Sequence, residues 1–178
     1  MKSLDTLILD YIKSFPNENA AIRMLDFYKN VPNCFQKNNH MGHFTGSAWV
    51  VSPNRKQILM THHKKLNMWL QLGGHADGSE DLISVAMREA KEESGFENFI
   101  LLSDEIFDLD IHEIPATSVN EKHIHYDVRF LLEADPEKNE IIISNESHDV
   151  RWICLDDVLN RNSEDSMKRM VNKTLDLK

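Results

Sequence analysis

The chain has 178 residues, 41% of them apolar and 28% charged, enough for one domain with a sizeable core and too few for two full domains. Its net charge of −9 argues against general binding to nucleic acid or anionic membrane, because both select for basic surface. Cys34 and Cys154 lie far apart in no disulfide or zinc-knuckle pattern, which fits idle thiols in a reducing compartment. Leu4, Leu7, Ile8, Tyr11, Ile12 and Phe15 recur at helical spacing, so the first element is an amphipathic helix ended by Pro16. Asp5 and Asp10 break its apolar run, so no signal peptide is expected. No stretch is long enough to span a bilayer, and a cytoplasmic location is the expectation. Asn17 caps a second helix over 18–29. "HFTGSAWVVS" and "KQILMTHH" flank the turn "PNRK" and read as a hairpin. "MWLQLGG" reads as one short strand running into glycines, followed by a helix over 81–94 that Gly95 closes. Strands are expected at 106–114, at 123–132, over "IIIS" (141–144) and over "DVRWICL", then a helix from near Asp156 and a last helix over 164–175. The pattern is α+β: a mixed β-sheet sandwiched by helices at 39–178, behind a two-helix extension at 1–38.

Residues 81–94 carry the chemistry. Wound at about 100° per residue, Leu82, Val85 and Ala86 form one apolar stripe, and Ile83, Met87 and Ala90 flank it. The same rule leads on to Glu89 and Glu93, with Glu92 at the border, while Glu80, Ser84, Arg88 and Lys91 take the solvent face. One reading is a solvated acidic face tied together by Arg88–Glu92 and similar pairs. Phase opposes it, because the acids fall where the helical period places core residues. Crowded, partly buried carboxylates take up protons or need a cation. Clustered hard oxygen ligands suit Mg²⁺ or Mn²⁺.

The wider spacing is more specific. Gly74, Glu80, Arg88, Glu89, Glu92, Glu93 and Gly95 fall in the order Gly-x5-Glu-x7-Arg-Glu-U-x-Glu-Glu-x-Gly-U, with Ala90 and Phe96 at the apolar U positions. This resembles the complete signature of the Nudix hydrolases, and the resemblance covers about residues 43–160. It implies a Nudix-type fold and a Mg²⁺-dependent enzyme, with Mn²⁺ as an alternative ion. The implied reaction is attack by metal-activated water on a diphosphate linkage, in a nucleoside diphosphate joined to another moiety. A nucleotide sugar, a nucleoside triphosphate and a dinucleotide all meet that description. The implied metal ligands are Glu92, Glu93, Glu89 and the carbonyl of Gly74. Arg88 is implied to orient the glutamates, and Glu80 to stand behind them. Glu146, on a loop before a strand, joins Glu92 and Glu93 as a candidate general base. Many members carry Pro-Gly-Gly before the box; this chain has Leu72-Gly73-Gly74-His75, so His75 is a candidate substrate contact.

Two other classes share the fold. Isopentenyl diphosphate isomerases need a cysteine in a loop before the inserted helix, a place that neither Cys34 nor Cys154 occupies. Non-catalytic Nudix ligand sensors usually lose box glutamates, and none is missing here. The implied partner is a small nucleotide diphosphate, with no nucleic acid or membrane; a homodimer stays open.

The later strands bear on substrate choice. Asp108, Asp110 and His112 share one face, as do His123, His125, Asp127 and Arg129. If the loop at 115–122 makes the two strands antiparallel, the simplest register sets His112 against His125, Asp110 against Asp127 and Asp108 against Arg129. Opposed aspartates are unfavourable unless something positive lies between them. Asp110, His125 and Asp127 then form a polar pocket floor, or the face is a wet outer surface with the register shifted by two. Trp49 and Trp152 read as core, whereas Trp69, just before the metal loop, is a candidate base contact. His62, His63, Lys64 and Lys65 either meet phosphate or form a solvated turn.

Overall fold

The apolar spacing of the first thirty residues is realised as two helices, α1 over Leu4–Ser14 and α2 over Asn19–Asn30. The computed structural model describes residues 2–116, 121–138 and 140–177. The buried faces of α1 and α2, among them Leu7, Ile8, Met24 and Phe27, belong to the same core as the sheet that follows. Phe27 lies flat on Tyr126, with ring centroids 3.7 Å apart.

Strand β1 (His43–Val51) is buried along its whole length. Strands β2 (Gln57–His63), β3 (Met68–Leu70) and β4 (Leu72–His75) follow it. After helix α3 (Leu82–Ser94) come β5 (Ile100–Leu101), β6 (Asp108–Ile114), β7 (His123–Glu133) and β8 (Ser147–Cys154). A 3-10 turn at Leu155–Asp157, a short α4 (Val158–Arg161) and α5 (Asp165–Leu175) complete the order. Among the described residues the eight strands form one mixed, curled sheet. β1 runs parallel to β7 from His43↔His125 to Val51↔Glu133. Its other edge is shared: β4 takes Thr45 to Ala48 and β2 takes Val50 and Val51, both antiparallel. Strand alternation then gives the sheet two faces. Phe44, Ala48, Val50, Val128 and Phe130 meet α1, α2 and α3. Trp49, Val51, Ile58 and Leu131 meet Met167, Met170 and Val171 of α5. Among the described residues no helix is long and apolar enough to cross a membrane.

The structure corrects the reading of "MWLQLGG" as one strand. β3 pairs with β2, and the chain then crosses to pair as β4 with β1. Residues 141–144 are not a strand at all. Their hydrophobicity clasps the end of α3: the Ile142 N–H donates to the Ser94 carbonyl at 2.8 Å, and Ile141 packs on the core. The two-residue β5 has no periodicity to reveal it. The register of β6 on β7 is the simplest one, Asp108↔Arg129, Asp110↔Asp127 and His112↔His125; residues 117–120 of the connecting loop lie outside the described residues. That face is not a wet outer surface, since Asp108, Asp127 and Arg129 are 0%, 1% and 2% exposed.

Phe27→Ala should therefore cost about 3–5 kcal/mol of stability, whereas Ile22→Ala, at a position 54% exposed on the same helix, should cost under about 0.5 kcal/mol. Urea unfolding of the two variants checks whether α2 belongs to the core.

Candidate active site

Helix α3 starts and stops on clear local signals. Asp81 caps it by accepting the Ser84 N–H at 3.1 Å. Gly95 ends it at φ 76°, a left-handed conformation that costs glycine little. Between these ends Leu82, Val85, Ala86 and Ala90 are buried against the sheet, and the same stripe continues into Glu93, which is 6% exposed. The Glu89 side chain is 14% exposed, while that of Glu92 is 59% exposed. Two of the three acids therefore turn inward and the third lies on the outer flank.

Strand β4 faces these carboxylates. Among the described residues it pairs only with β1, and the Gly73 N–H donates to Glu93 Oε2 at 2.9 Å. A Cβ at Gly74 would fall 2.5 and 2.6 Å from the two Glu89 carboxylate oxygens, so a side chain here would push that carboxylate out of its place. Arg88 ties the loop to the helix. Its Nη2 donates to the His75 carbonyl at 3.0 Å, and its Nη1 lies 2.7 Å from Glu89 and 3.2 Å from Glu92.

Burial is costly to these acids. It raises the Glu93 carboxyl to about 8, against a partly offsetting hydrogen bond from Gly73 and with added repulsion from Glu89, Glu146 and Glu92. Burial also raises Glu89, although Arg88 opposes the shift. The donors gathered here are carboxylate oxygens beside the Gly73–Gly74 backbone, a set that fits a hard divalent cation. Glu93, Glu89 and the Gly74 carbonyl would hold it. Glu146 is exposed on the turn before β8, as expected for a loop residue, and its charge is felt by both inward glutamates.

The other candidates divide by face. Asp127 is already fully engaged: Oδ1 accepts from Thr45 and Ser47 at 2.8 and 2.7 Å, and Oδ2 from Gln71 and Arg129 at 3.0 and 2.7 Å. The positive charge that reconciles the opposed aspartates is Arg129, which also reaches Asp108 at 3.1 Å and Asp110 at 3.5 Å. Arg169 adds contacts to Asp108 and Asp110 at 3.2 Å each, and Lys173 one to Asp108 at 2.8 Å. Burial alone would raise Asp110, but the hydrogen bond from His112, with Arg129 and Arg169, holds it well below the ordinary range. This cluster of three aspartates and three cations locks α5 to the sheet. Trp69 stacks on His62, with centroids 5.1 Å apart, and its carbonyl accepts from Asn162. Lys64 Nζ is held by the Asn145 carbonyl at 2.8 Å. Trp49 is buried, with its Nε1 bonded to Thr174, and Trp152 packs against the core, as expected. Cys34 is buried and Cys154 exposed.

His75 and His125, expected as substrate contacts, come together with His123, which alternation had placed on the face of His125 without a role, and with His43, which sequence reasoning did not single out. No local signal marks His43, because its neighbours come from β7 and β4 through long-range pairing.

The NUDIX domain profile matches residues 43–173, and the chain belongs to the Nudix family. A Nudix-family hydrolase from Clostridium perfringens is 26% identical, with a TM-score of 0.53, over 79% of this chain and 99% of that one. The Escherichia coli dihydroneopterin triphosphate pyrophosphohydrolase superposes with a TM-score of 0.55 at 16% identity, over 73% and 92% of the two chains. A Caenorhabditis elegans Ap4A hydrolase in a binary complex gives 0.52 at 18% identity, over 73% and 93%. These last two likenesses carry the fold alone. No curated protein matches the chain. Family membership supports a hydrolase, and Nudix hydrolases generally use divalent metals. α1 and α2 lie outside the matched residues.

Glu93 sets a pH dependence on the metal-free protein. Its folded value, about 8, lies above the ordinary 4.5, so the native state holds the proton more tightly than the unfolded chain. That contribution is fully present below about 4.5 and is lost as pH rises through about 8. Urea unfolding in chelator, from about pH 5 to pH 9, should show wild type losing stability relative to Glu93→Gln. Parallel pH profiles would contradict the assignment.

Proposed function

We propose that this protein is a Mg²⁺- or Mn²⁺-dependent pyrophosphohydrolase that cleaves a diphosphate linkage in a nucleoside diphosphate joined to another moiety. The observation that carries this is the inward pair Glu89 and Glu93, packed against Gly73–Gly74 within a complete Nudix box. Burying two carboxylates at core positions of a helix is costly, and one hydrogen bond from Gly73 and one ion pair with Arg88 offset it only in part; a cation would supply the rest. When bound, the cation supplies Lewis acidity, neutralising charge on the diphosphate and making water more acidic.

The chain's own residues do the rest. The Gly73 N–H fixes one oxygen of Glu93, and the other would be the one to reach a cation. Arg88 holds Glu89, Glu92 and the His75 carbonyl in one arrangement, so the Gly74 carbonyl keeps its place relative to the helix. Glu92, on the exposed flank, would complete the set of ligands together with Glu89, Glu93 and the Gly74 carbonyl. Glu146 is the candidate acceptor for the proton of the attacking water, with the bridging oxygen leaving on the far side of the phosphorus. Trp69 borders the substrate, and His75 and His125, with the ion-paired Asp110 and Asp127 behind them, line the polar end of its pocket. Residues 39–178 form the catalytic domain, and 1–38 are an extension built into its core. Two free thiols fit a reducing compartment, and we place the protein in the cytoplasm.

The test is a panel of a nucleotide sugar, a nucleoside triphosphate and a dinucleotide, incubated with Mg²⁺ and resolved by ion-exchange chromatography. Each substrate turned over should yield two phosphate-bearing products. Glu93→Gln should slow turnover by at least about a hundredfold with an unchanged circular dichroism spectrum. Tight binding without turnover across the panel would instead make the protein a ligand sensor.

A further inference from the structure

The sheet face opposite α3 carries four imidazoles that the proposed hydrolysis does not need as a group. His43 on β1 pairs with His125 on β7, His123 lies two residues earlier on the same face of β7, and His75 on β4 pairs with Thr45 of β1. One ring nitrogen from each of the four lies within 4.8 Å of all the others. Ring centroids of His43 stand 5.1 Å from His75, 5.1 Å from His123 and 4.8 Å from His125.

Two further observations point to a ligand. His43 is 1% exposed, yet neither of its ring nitrogens has a hydrogen-bond partner among the described residues, an uncompensated cost for a buried polar group. His123 shows the outer arrangement of a metal-ligating histidine. Its Nδ1 lies 2.8 Å from the Glu121 carbonyl, so Nδ1–H donates and the lone pair on Nε2 is turned into the cluster. That Nε2 accepts a hydrogen bond from Nε2–H of His125 at 3.2 Å, a bond whose proton a bound ion would displace. With Zn–N bonds of about 2.0–2.1 Å, a tetrahedral ligand edge is about 3.3–3.4 Å, so this pair already stands at coordination spacing.

An anion site is the competing use of clustered histidines, and it needs them charged. Four imidazoles this close together, with His43 only 1% exposed, would repel one another if charged. Neutral imidazoles are ligands for borderline metals, not partners for phosphate. His75, His123 and His125 are half-buried, not sealed, which leaves an entry path for an ion.

We propose that His43, His75, His123 and His125 form a second cation site, for a divalent transition metal of the Zn²⁺ class, separate from the carboxylate site of the Nudix box. The bound ion cross-links β4, β1 and β7, and so braces the strand that presents Gly73 and Gly74. The inference does not depend on the proposed hydrolysis.

Co²⁺ serves as the probe, titrated into metal-stripped, full-length protein carrying no polyhistidine tag. Wild type and Glu93→Gln should both develop intense tetrahedral visible bands at one equivalent, and Zn²⁺ should displace them and raise the melting temperature. His123→Gln, at a half-buried position, should bind Zn²⁺ at least about tenfold more weakly and lose the bands. His125→Gln should do the same if circular dichroism shows it folded; if it is not folded, His123→Gln decides. Absence of intense bands in wild type, their persistence in His123→Gln, or their loss in Glu93→Gln overturns the site. Hydrolysis by Glu93→Gln has no bearing on this readout, so failure here is separable from failure of the pyrophosphohydrolase reading.

Discussion

A carboxyl group that burial forces up to about 8, Glu93, is the constraint around which this molecule is arranged. A helix normally places an apolar side chain at that phase, and every neighbour is adjusted to the exception. β4 offers Glu93 an N–H, and it carries glycine where a Cβ would displace the carboxylate of Glu89. The end of α3 is held by Gly95 and by the Ile142 amide. Arg88 fixes the distance between helix and loop. Removing any of these loosens a pair of acids that is unfavourable as it stands.

The sheet separates two kinds of donor. On the α3 side are carboxylates, suited to hard cations; on the α5 side are imidazoles, suited to softer ones. β4 is the element common to both, since Gly74 meets Glu89 and the next residue, His75, joins the histidines. Beyond the histidines the same polar stripe runs into Asp127, Arg129 and Asp108, whose opposite charges cancel internally and anchor α5 through Arg169 and Lys173. Polarity inside this sheet thus has two physical origins. One is charge paired with charge; the other is neutral donors converging on a common point.

Much of this was legible in the sequence, for reasons that differ by element. α1, α2 and α3 carry strong helical periodicity and, in α3, a cap at each end, so their positions follow from local chemistry. Alternation left two registers open for β6 on β7; the simpler one is adopted, and the conflict it implied between Asp110 and Asp127 is real and is resolved by Arg129. The inward phase of Glu89 and Glu93 could be read directly, and the exposure of Glu92 is consistent with its place at the border of the stripe. What could not be read depends on distant pairing. β4 leaves β3 because β1 offers it an edge, Ile142 has a partner in Ser94, and His43 meets His125 only through a parallel pairing of strands far apart in the chain. An apolar run such as 141–144 looks the same whether it forms a ladder or packs on a helix end.

The central claim is that the inward acids of α3 exist to hold a divalent cation. Anomalous scattering from crystals grown with saturating Mn²⁺ tests it most directly. The account requires a manganese peak within coordination distance of Glu89, Glu93 and the Gly74 carbonyl. A map with no peak there, while the carboxylates remain in the positions described, would contradict it.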